Sequence, residues 1–235
     1  MSSLIAAKLA AVQQQIQEIA AHCDRNPQSI TLMPVSKTVA PETIREAIAA
    51  GYPLLGENKV QEIQSKAAAL ADMPHQVHLI GHLQTNKVKD VIGLVSCVQS
   101  VDSLKLAKKM QQRLEFVDSH LDILIQVNTS GEDSKNGIAP EQALDLIDAV
   151  CAFERLSIKG LMTIGANTDN EEAIRACFRQ LRQLQIAAQH KYGAYSDFAV
   201  LSMGMSADMK IAIEEGSTLL RVGSAIFGAR DYAAS

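Results

Sequence analysis

The sequence predicts one α/β domain over residues 1–235, built from eight β/α units with an additional helix at the N-terminus. Eight short apolar segments alternate along the chain with segments that have helical periodicity. Continuous apolar strands joined by helices indicate parallel pairing, with both faces of the sheet buried. No linker, low-complexity tract or charge run divides the chain. Eight such units in a chain of this length are typical of the (β/α)8 TIM barrel.

The N-terminal helix is predicted from an apolar stripe in which residues recur at alternating steps of four and three. The stripe consists of Ile5, Leu9, Val12, Ile16, Ile19 and Cys23. This spacing places the side chains on one helix face, and Ser2 and Ser3 precede it as candidate caps. A coiled coil is the alternative, but the stripe is shorter than three heptads. We therefore expect it to pack against the core of its own domain.

The eight predicted strands are the apolar runs themselves, at residues 30–37, 54–58, 77–84, 94–102, 122–129, 156–164, 198–203 and 219–222. Helix signals separate them. Pro41 stands near a helix start and Gly51 just past its end, residues 58–61 resemble a capping box, Pro140 opens another helix, and Gly216 follows a helix at 207–215. A doubly wound open sheet is the structural alternative. We rank it second because no GxGxxG pattern follows the first strand.

Composition excludes several classes of protein. Lysine and arginine total 22 against 26 acidic residues, and this net charge of −4 argues against a nucleic-acid-binding protein. No apolar run approaches the length of a membrane span, and the N-terminus is amphipathic rather than signal-like. The four cysteines are scattered without a CxxC pair, which is typical of free thiols in a reducing compartment. We expect a cytoplasmic protein with no membrane partner.

Polar residues stand where the predicted strands end, which is where the active sites of barrel enzymes lie. They are Ser36, Lys37, Glu57, Asn58, His82, Gln84, Asp102, Asn128, Thr129, Thr163, Ser202, Ser206, Arg221 and Ser224. Lys37 ends the first run. An amine desolvated in a barrel mouth has a lowered pKa and becomes a nucleophile, whereas a lysine that extends past a strand end into water does not. A phosphate site nearby would favour the nucleophile, because Schiff-base cofactors need both.

Two segments after the last two strands are predicted to bind a phosphate group. Residues 202–206, Ser-Met-Gly-Met-Ser, follow the seventh run, and residues 221–224, Arg-Val-Gly-Ser, end the eighth. Barrel phosphate sites combine these same two loops with a helix N-terminus. Residues 223–228 are followed by Ala-Arg rather than Lys-Ser, so they are not a Walker A loop. Arg221 itself would either pair with a helix carboxylate or face the ring nitrogen of a pyridine cofactor, which it would leave unprotonated.

Other charged residues favour no metal site. His78 and His82 form an HxxxH pattern, but on a strand these positions are about 13 Å apart, and no glutamate follows the first histidine. Residues 132–137 superficially resemble a calcium loop, but their ligand spacing is wrong and Lys135 would repel a cation. They are expected to form a solvated loop on the functional face, with Lys135 as the second candidate for the cofactor lysine.

The motifs of the chain closely resemble those of the pyridoxal 5′-phosphate (PLP) homeostasis protein family, which is related to the N-terminal barrel domain of alanine racemase. The resemblance covers almost the whole chain. The segments that carry it are 35–38, 56–58, 60–62, 78–84, 86–87, 126–128, 134–137, 160–162, 202–206 and 221–228.

The resemblance implies PLP bound to Lys37 as a Schiff base, and a role for Lys135 as a secondary PLP site stays open. It implies phosphate contacts and a ring pocket formed by the remaining cofactor-binding residues. Those implied for the phosphate are Ser202, Met203, Gly204, Ser206, Gly223 and Ser224, and those implied around the ring are Val35, Asn58, His82, Met162 and, at the ring nitrogen, Arg221.

Two functions are expected in this order. The first is a PLP carrier or regulator in vitamin B6 and amino-acid homeostasis, without turnover, monomeric, and able to supply PLP-dependent apoenzymes. The second is a fold-type III amino-acid racemase or lyase, which would need a second domain and an opposing tyrosine. We expect no second domain, none of Tyr52, Tyr192 and Tyr195 ends a predicted strand, and Tyr232 stays open. A third alternative is an aldolase-like barrel that acts on a phosphorylated metabolite.

Overall fold

A computed structural model, described over residues 3–228, contains eight parallel strands in one sheet. The strands are β1 Thr31–Pro34, β2 Leu54–Glu57, β3 Gln76–Leu79, β4 Cys97–Val101, β5 Leu121–Gln126, β6 Leu156–Met162, β7 Val200–Ser202 and β8 Leu219–Val222. Each strand pairs with its neighbour in the chain from β2 to β8, and β8 pairs with β1. A parallel bridge between Val35 and Gly56 joins β1 to β2 and closes the barrel. The predicted TIM barrel is confirmed.

Helices cover the outside of the sheet. In the described residues they are α1 Leu4–His22, α2 Pro41–Ala49, α3 Val60–Leu70, α4 Val88–Val91, α5 Leu104–Phe116, α6 Ala143–Cys151, α7 Glu171–Tyr192, α8 Met209–Glu214 and α9 Ser224–Phe227. The main hydrophobic core lies between these helices and the outward-facing strand residues. Within residues 3–228, no helix combines the length and apolar character that crossing a bilayer requires.

The N-terminal helix packs as its apolar stripe predicts. Four stripe residues, from Ile5 to Ile16, are buried, and the last two are half-buried against the main core. The helix contacts α2, α8 and α9. Ser3 accepts a hydrogen bond from the Ala6 N–H at 3.2 Å and caps the helix, whereas Ser2 lies outside the described residues. Helix α1 is therefore part of the fold rather than an appendage.

Several element ends differ from the prediction. β1 and β3 end at Pro34 and Leu79, so Lys37 lies in a turn and His82 in a loop, both beyond the ladder. The prediction of a capping box at residues 58–61 is wrong, because the N-cap of α3 is Lys59, which makes no side-chain cap hydrogen bond. α8 begins at Met209 rather than at residue 207, since residues 206–208 form a turn. Apolar runs show where a strand passes through the core but do not show where its ladder stops.

The other predicted helix signals are present. Pro41 occupies the first turn of α2, and Pro140 begins a 3₁₀ turn that leads into α6. Gly51 and Gly216 follow α2 and α8 with φ of +93° and +103°, the left-handed conformation that ends many helices. All four cysteines are free thiols, as predicted.

Truncating a buried stripe residue tests how much α1 contributes to stability. Leu9→Ala should lower the free energy of unfolding by about 2–5 kcal/mol, because Leu9 has no exposed surface and its loss leaves a cavity. Leu4→Ala is the control, since Leu4 is 70% exposed and should change stability by less than about 0.5 kcal/mol. Urea denaturation of both variants measures the difference. Equal effects would mean that α1 does not pack on the core as described.

Candidate cofactor-binding site

Lys37 lies on the rim formed by the carboxyl ends of the strands. After β1 ends, Val35 donates its N–H to the Val222 carbonyl at 2.9 Å and pairs with Gly56 on the other side. The chain is thus held between β8 and β2 before it turns at Lys37, which is half-buried. The lysine is placed by the strand pairing that closes the barrel.

The loop after β7 has a shape that depends on glycine and a buried carboxylate. Gly204 has φ +96°, and a Cβ there would lie 2.4 Å from the Cβ of Ala212. The Asp208 carboxylate accepts a hydrogen bond from the Met205 N–H at 2.6 Å. Burial raises the pKa of Asp208, although this hydrogen bond and Arg221 act in the opposite direction. These contacts hold Ser206 at the rim.

The two segments predicted to bind phosphate meet in space. The hydroxyls of Ser206 and Ser224 are 3.2 Å apart, one on the loop after β7 and the other at the start of α9. Gly223 lies against β1, because a Cβ at this position would be 3.3 Å from the Val35 carbonyl oxygen. The serine pair and the Lys37 turn are therefore joined through the contact of Gly223 with Val35 and occupy the same rim.

Arg221 is buried inside the barrel, below this rim. Its Nη1 donates to the Ser202 hydroxyl at 2.8 Å and its Nη2 donates to the Thr163 carbonyl at 2.8 Å. Burial lowers the pKa of Arg221 to about 10, and the carboxylate of Asp208 partly opposes this shift. The guanidinium therefore remains charged at neutral pH.

A chain of hydrogen bonds extends from Arg221 across the barrel interior. The Ser202 hydroxyl donates to Gln99 Oε1 at 2.7 Å, and Gln99 Nε2 lies 2.8 Å from His78 Nδ1. Burial lowers the pKa of His78 to about 4, so the ring is neutral at pH 7 and its Nδ1 can accept this bond. Every donor in the chain then points away from Arg221, and the chain holds the guanidinium in one orientation.

Comparisons with known proteins place these features in a family. The family described as "Alanine racemase, N-terminal domain" matches residues 7–231. Pyridoxal phosphate homeostasis protein of Pseudomonas aeruginosa is 41% identical over 99% of this chain and 98% of its own length. The protein of the same name from Aquifex aeolicus is 40% identical over 96% of this chain and 98% of its own length.

The chain belongs to the pyridoxal phosphate homeostasis protein family, within the alanine racemase N-terminal domain family.

Solved structures agree with the fold. PipY of Synechococcus elongatus, whose structure is described as having PLP bound, is 32% identical with a TM-score of 0.84, over 95% of this chain and 100% of that chain. Alanine racemase of Clostridium difficile is 14% identical with a TM-score of 0.73, over 94% of this chain and 57% of that chain. The racemase likeness concerns the fold alone.

Three residues that the family resemblance implies as cofactor contacts have side chains buried inside the protein. Ser202 lies inside the barrel, where its hydroxyl is engaged by Arg221 and Gln99 rather than by Ser206 or Ser224. Met203 is fully buried in the main core, so only its backbone is near the rim. Met162 is also fully buried and packs in a small cluster with Cys97 and Leu124.

Two further residues implied for the ring pocket lie on the rim beside β2 and β3. Asn58 is half-buried, and its carbonyl oxygen would be 2.2 Å from a Cβ at Gly81, so a glycine is needed where these two strand ends approach. His82 is exposed, and its Nδ1 lies 3.7 Å from the Asp102 carboxylate. Both residues follow the carboxyl ends of these two strands.

Lys135, the second candidate lysine, is held by its own loop. Its Nζ donates to Glu132 Oε1 at 2.7 Å and to the Gly165 carbonyl at 2.6 Å. This pairing lowers the pKa of the Glu132 carboxyl. In the described residues there is no cluster of three or more histidine, cysteine or acidic side chains that could hold a metal ion.

A separate cleft of about 520 Å³ lies on the outside of the barrel, beside α5. Its lining includes Thr85, Asn86, Leu104, Lys105, Lys108, Lys109 and Gln112. None of these residues belongs to the Lys37 turn or to the serine pair, so the cleft and the candidate site are distinct.

Sequence reasoning missed Gln99 and undervalued His78. Gln99 lies in the middle of a fully buried strand, and a polar residue at such a position requires a partner. That signal was visible in the segment Cys-Val-Gln-Ser-Val at 97–101. The partner was not visible, because Ser202 is 103 residues away in the chain.

Replacing His78 tests the interior chain, the series of hydrogen bonds from Arg221 to His78, through the pH dependence of stability. The pKa of this histidine is 6.5 in an unfolded chain and about 4 here, so between these values the unfolded state binds the extra proton and stability falls as pH falls. Between pH 7 and pH 5 the free energy of unfolding of the unsubstituted protein should fall by roughly 1–2 kcal/mol more than that of His78→Gln. Glutamine suits this comparison because its amide oxygen can still accept the hydrogen bond from Gln99. Urea denaturation at both pH values measures this.

The control is His120→Gln, since His120 is exposed. It should lose as much stability between pH 7 and pH 5 as the unsubstituted protein. If His78→Gln behaves in the same way as this control, His78 is not held neutral by the interior chain.

Proposed function

We propose that this protein binds PLP, holds it as a Schiff base on Lys37, and acts as a carrier or regulator of PLP without catalytic turnover. One observation carries the proposal. The Lys37 turn and the Ser206–Ser224 hydroxyl pair share one rim and are joined through the contact between Val35 and Gly223. PLP carries an aldehyde and a phosphate on one small ring, and this rim offers an amine and hydroxyl donors for them.

The residues present fit the chemical groups of PLP. The serine hydroxyls can donate to phosphate oxygens, and at Gly223 the backbone itself can approach the phosphate. Lys37 would hold the cofactor through a C=N bond from its nitrogen to the aldehyde carbon, and the aldehyde oxygen would leave as water. When bound, PLP can act as an electron sink for amino-acid chemistry.

Arg221 favours storage over catalysis. A guanidinium has five N–H donors and no acceptor, so its bonds to Ser202 and Thr163 do not exhaust its donors. Because Arg221 stays charged at neutral pH, it can donate a hydrogen bond to an unprotonated ring nitrogen but cannot accept one from a protonated ring nitrogen. An unprotonated ring nitrogen is a weak electron sink, which suits a protein that holds the cofactor.

The tyrosines of the described chain also support a carrier. Tyr192 donates to the Leu144 carbonyl on α6, and Tyr195 donates to the Leu156 carbonyl at the amino end of β6. Tyr52 precedes β2, at the same amino end of the barrel. None of these three can oppose Lys37 across the rim, and Tyr232 lies outside the described residues.

An amino-acid racemase or lyase is the second candidate. The exposed His82 beside Asp102 favours it, because this pair is an acid–base group on the functional rim. The names of the relatives favour the carrier. PLP-dependent apoenzymes as recipients of the cofactor, and a monomeric state, remain predictions from the family resemblance.

Borohydride trapping tests the site of attachment. After incubation with PLP, reduction and digestion, the pyridoxyl group should be found on Lys37. Lys37→Ala should lose the adduct but keep the fold within about 1 kcal/mol, because a half-buried turn residue contributes little packing. Lys135→Ala is the matched control and should retain the adduct. A label found chiefly on Lys135 would contradict the assignment.

Proton exchange distinguishes the carrier from the racemase. The PLP-loaded protein, incubated with several amino acids in deuterated buffer, should exchange α-protons no faster than free PLP at the same concentration. Sustained exchange at enzymatic rates, abolished by His82→Gln, would establish the second candidate.

A further inference from the structure

A buried ion pair lies beneath the Lys37 turn, between the barrel wall and α3. Lys66 Nζ, from the middle of α3, is 2.8 Å from Oε1 of Glu57, the last residue of β2. Both residues are buried, with 8% and 2% of their surface exposed. Lysine and glutamate are seldom buried to this extent, and an ion pair removed from water gains little net stability over an apolar pair of similar size.

The environment of Glu57 shows that this pair is costly. Burial raises the pKa of the Glu57 carboxyl even though Lys66 and Ser36 both act to lower it. Within the described residues, Glu57 Oε2 is buried without a hydrogen-bond partner. Packing alone would be served as well by apolar side chains, so the other contacts of the pair indicate its role.

Those contacts lead to the residue before Lys37. Lys66 Nζ donates to the Ser36 carbonyl at 2.8 Å, and the Ser36 hydroxyl donates to Glu57 Oε1 at 2.7 Å. The Ser36 N–H donates to the Gly56 carbonyl at 2.9 Å. The side chain, carbonyl and N–H of Ser36 are thus all held.

The residue after Lys37 is held by the same cluster. Thr38 has φ +63°, a left-handed conformation that is unfavourable for a β-branched residue. Its N–H donates to Glu62 Oε2 at 2.5 Å, and the same oxygen lies 3.2 Å from Lys66 Nζ. Glu62 and Lys66 are one turn apart on α3, so the helix presents both to the turn.

We propose that Glu57, Lys66 and Glu62 are positioning residues that set the backbone on both sides of Lys37 and so direct its amine toward the aldehyde of PLP. This inference rests on the proposed function. The three side chains contact residues 36 and 38 and act through the turn, not on the cofactor. The strained Thr38 conformation persists because the cluster holds it, and without the cluster Lys37 would sample many directions.

The main variant removes the charges together. Glu57→Gln/Lys66→Met keeps similar volumes and removes both charges of the buried pair, and only the half-buried Glu62 loses an ion-pair partner. In the cofactor-free protein, hydrogen exchange at the Thr38 amide should become about tenfold faster or more, because Glu62, which accepts the Thr38 N–H, loses the Lys66 ammonium that holds it in place. The PLP Kd, from the visible absorbance of the adduct, should rise by about tenfold or more for the same reason.

A milder variant keeps the test informative if the double variant does not fold. Glu62→Ala removes a half-buried side chain, with its bond to Thr38 and its ion pair with Lys66, and leaves the Glu57–Lys66 pair in place. It should give faster Thr38 exchange and weaker PLP binding in a protein whose thermal unfolding is little changed. Glu62→Asp, which keeps the carboxylate, should recover part of the affinity.

The control is the exposed ion pair Arg45–Asp72, which joins α2 to the residues after α3. Arg45→Met/Asp72→Asn alters the same region without contacting the Lys37 turn, so Thr38 exchange and the PLP Kd should stay within twofold. If the cluster served only stability, its variants would unfold at a lower temperature, but their Thr38 exchange rate and PLP Kd at 25 °C would be unchanged. That result in folded Glu62→Ala would overturn the proposal.

The outcomes separate the two proposals. If the unsubstituted protein takes up no PLP, the proposed function fails, and the Thr38 amide still reports whether the cluster holds the turn. If the unsubstituted protein binds PLP and the folded cluster variants bind it equally well, the proposed function stands and the positioning role fails.

Discussion

The site depends on the parallel pairing of β1 with β8. Because these strands run in the same direction, their carboxyl ends lie on one rim, and the Val35 N–H to Val222 carbonyl bond places the Lys37 turn beside the loop that begins at Gly223. The two segments are separated by almost the whole chain, and only barrel closure makes them neighbours. Ser206 then joins Ser224 from the adjacent loop. The Lys37 turn and a pair of serine hydroxyls therefore share one rim because the barrel closes.

Buried polar groups on both sides of the barrel wall hold this rim. Inside, the chain from Arg221 through Ser202 and Gln99 to His78 orients a guanidinium that burial would otherwise disfavour. Outside, Lys66 and its two glutamates hold the backbone around Lys37. Both networks desolvate charges that apolar residues could replace without loss of packing. Their common feature is that each ends at a residue, Arg221 or Lys37, that we propose contacts PLP.

Much of the fold was predictable because apolar periodicity reports which segments cross the core. Eight runs gave eight strands in the right order, and the strand-end rule indicated Lys37, Ser206, Gly223 and Ser224. The ends of the ladder were not predictable, so β1 and β3 were drawn too long. Ser202 was expected beside the phosphate, whereas its hydroxyl lies inside the barrel, because a short apolar strand does not reveal which face each residue takes. The networks around Gln99 and Lys66 join distant segments, and such contacts leave no local pattern.

A crystal structure of the protein grown with PLP would test the central claim most directly. Electron density should be continuous from the Lys37 side chain to the pyridine ring, with the phosphate within hydrogen-bond distance of the Ser206 and Ser224 hydroxyls. A cofactor whose phosphate occupies the cleft lined by Lys105 and Lys108, or whose ring is attached to Lys135, would contradict the account.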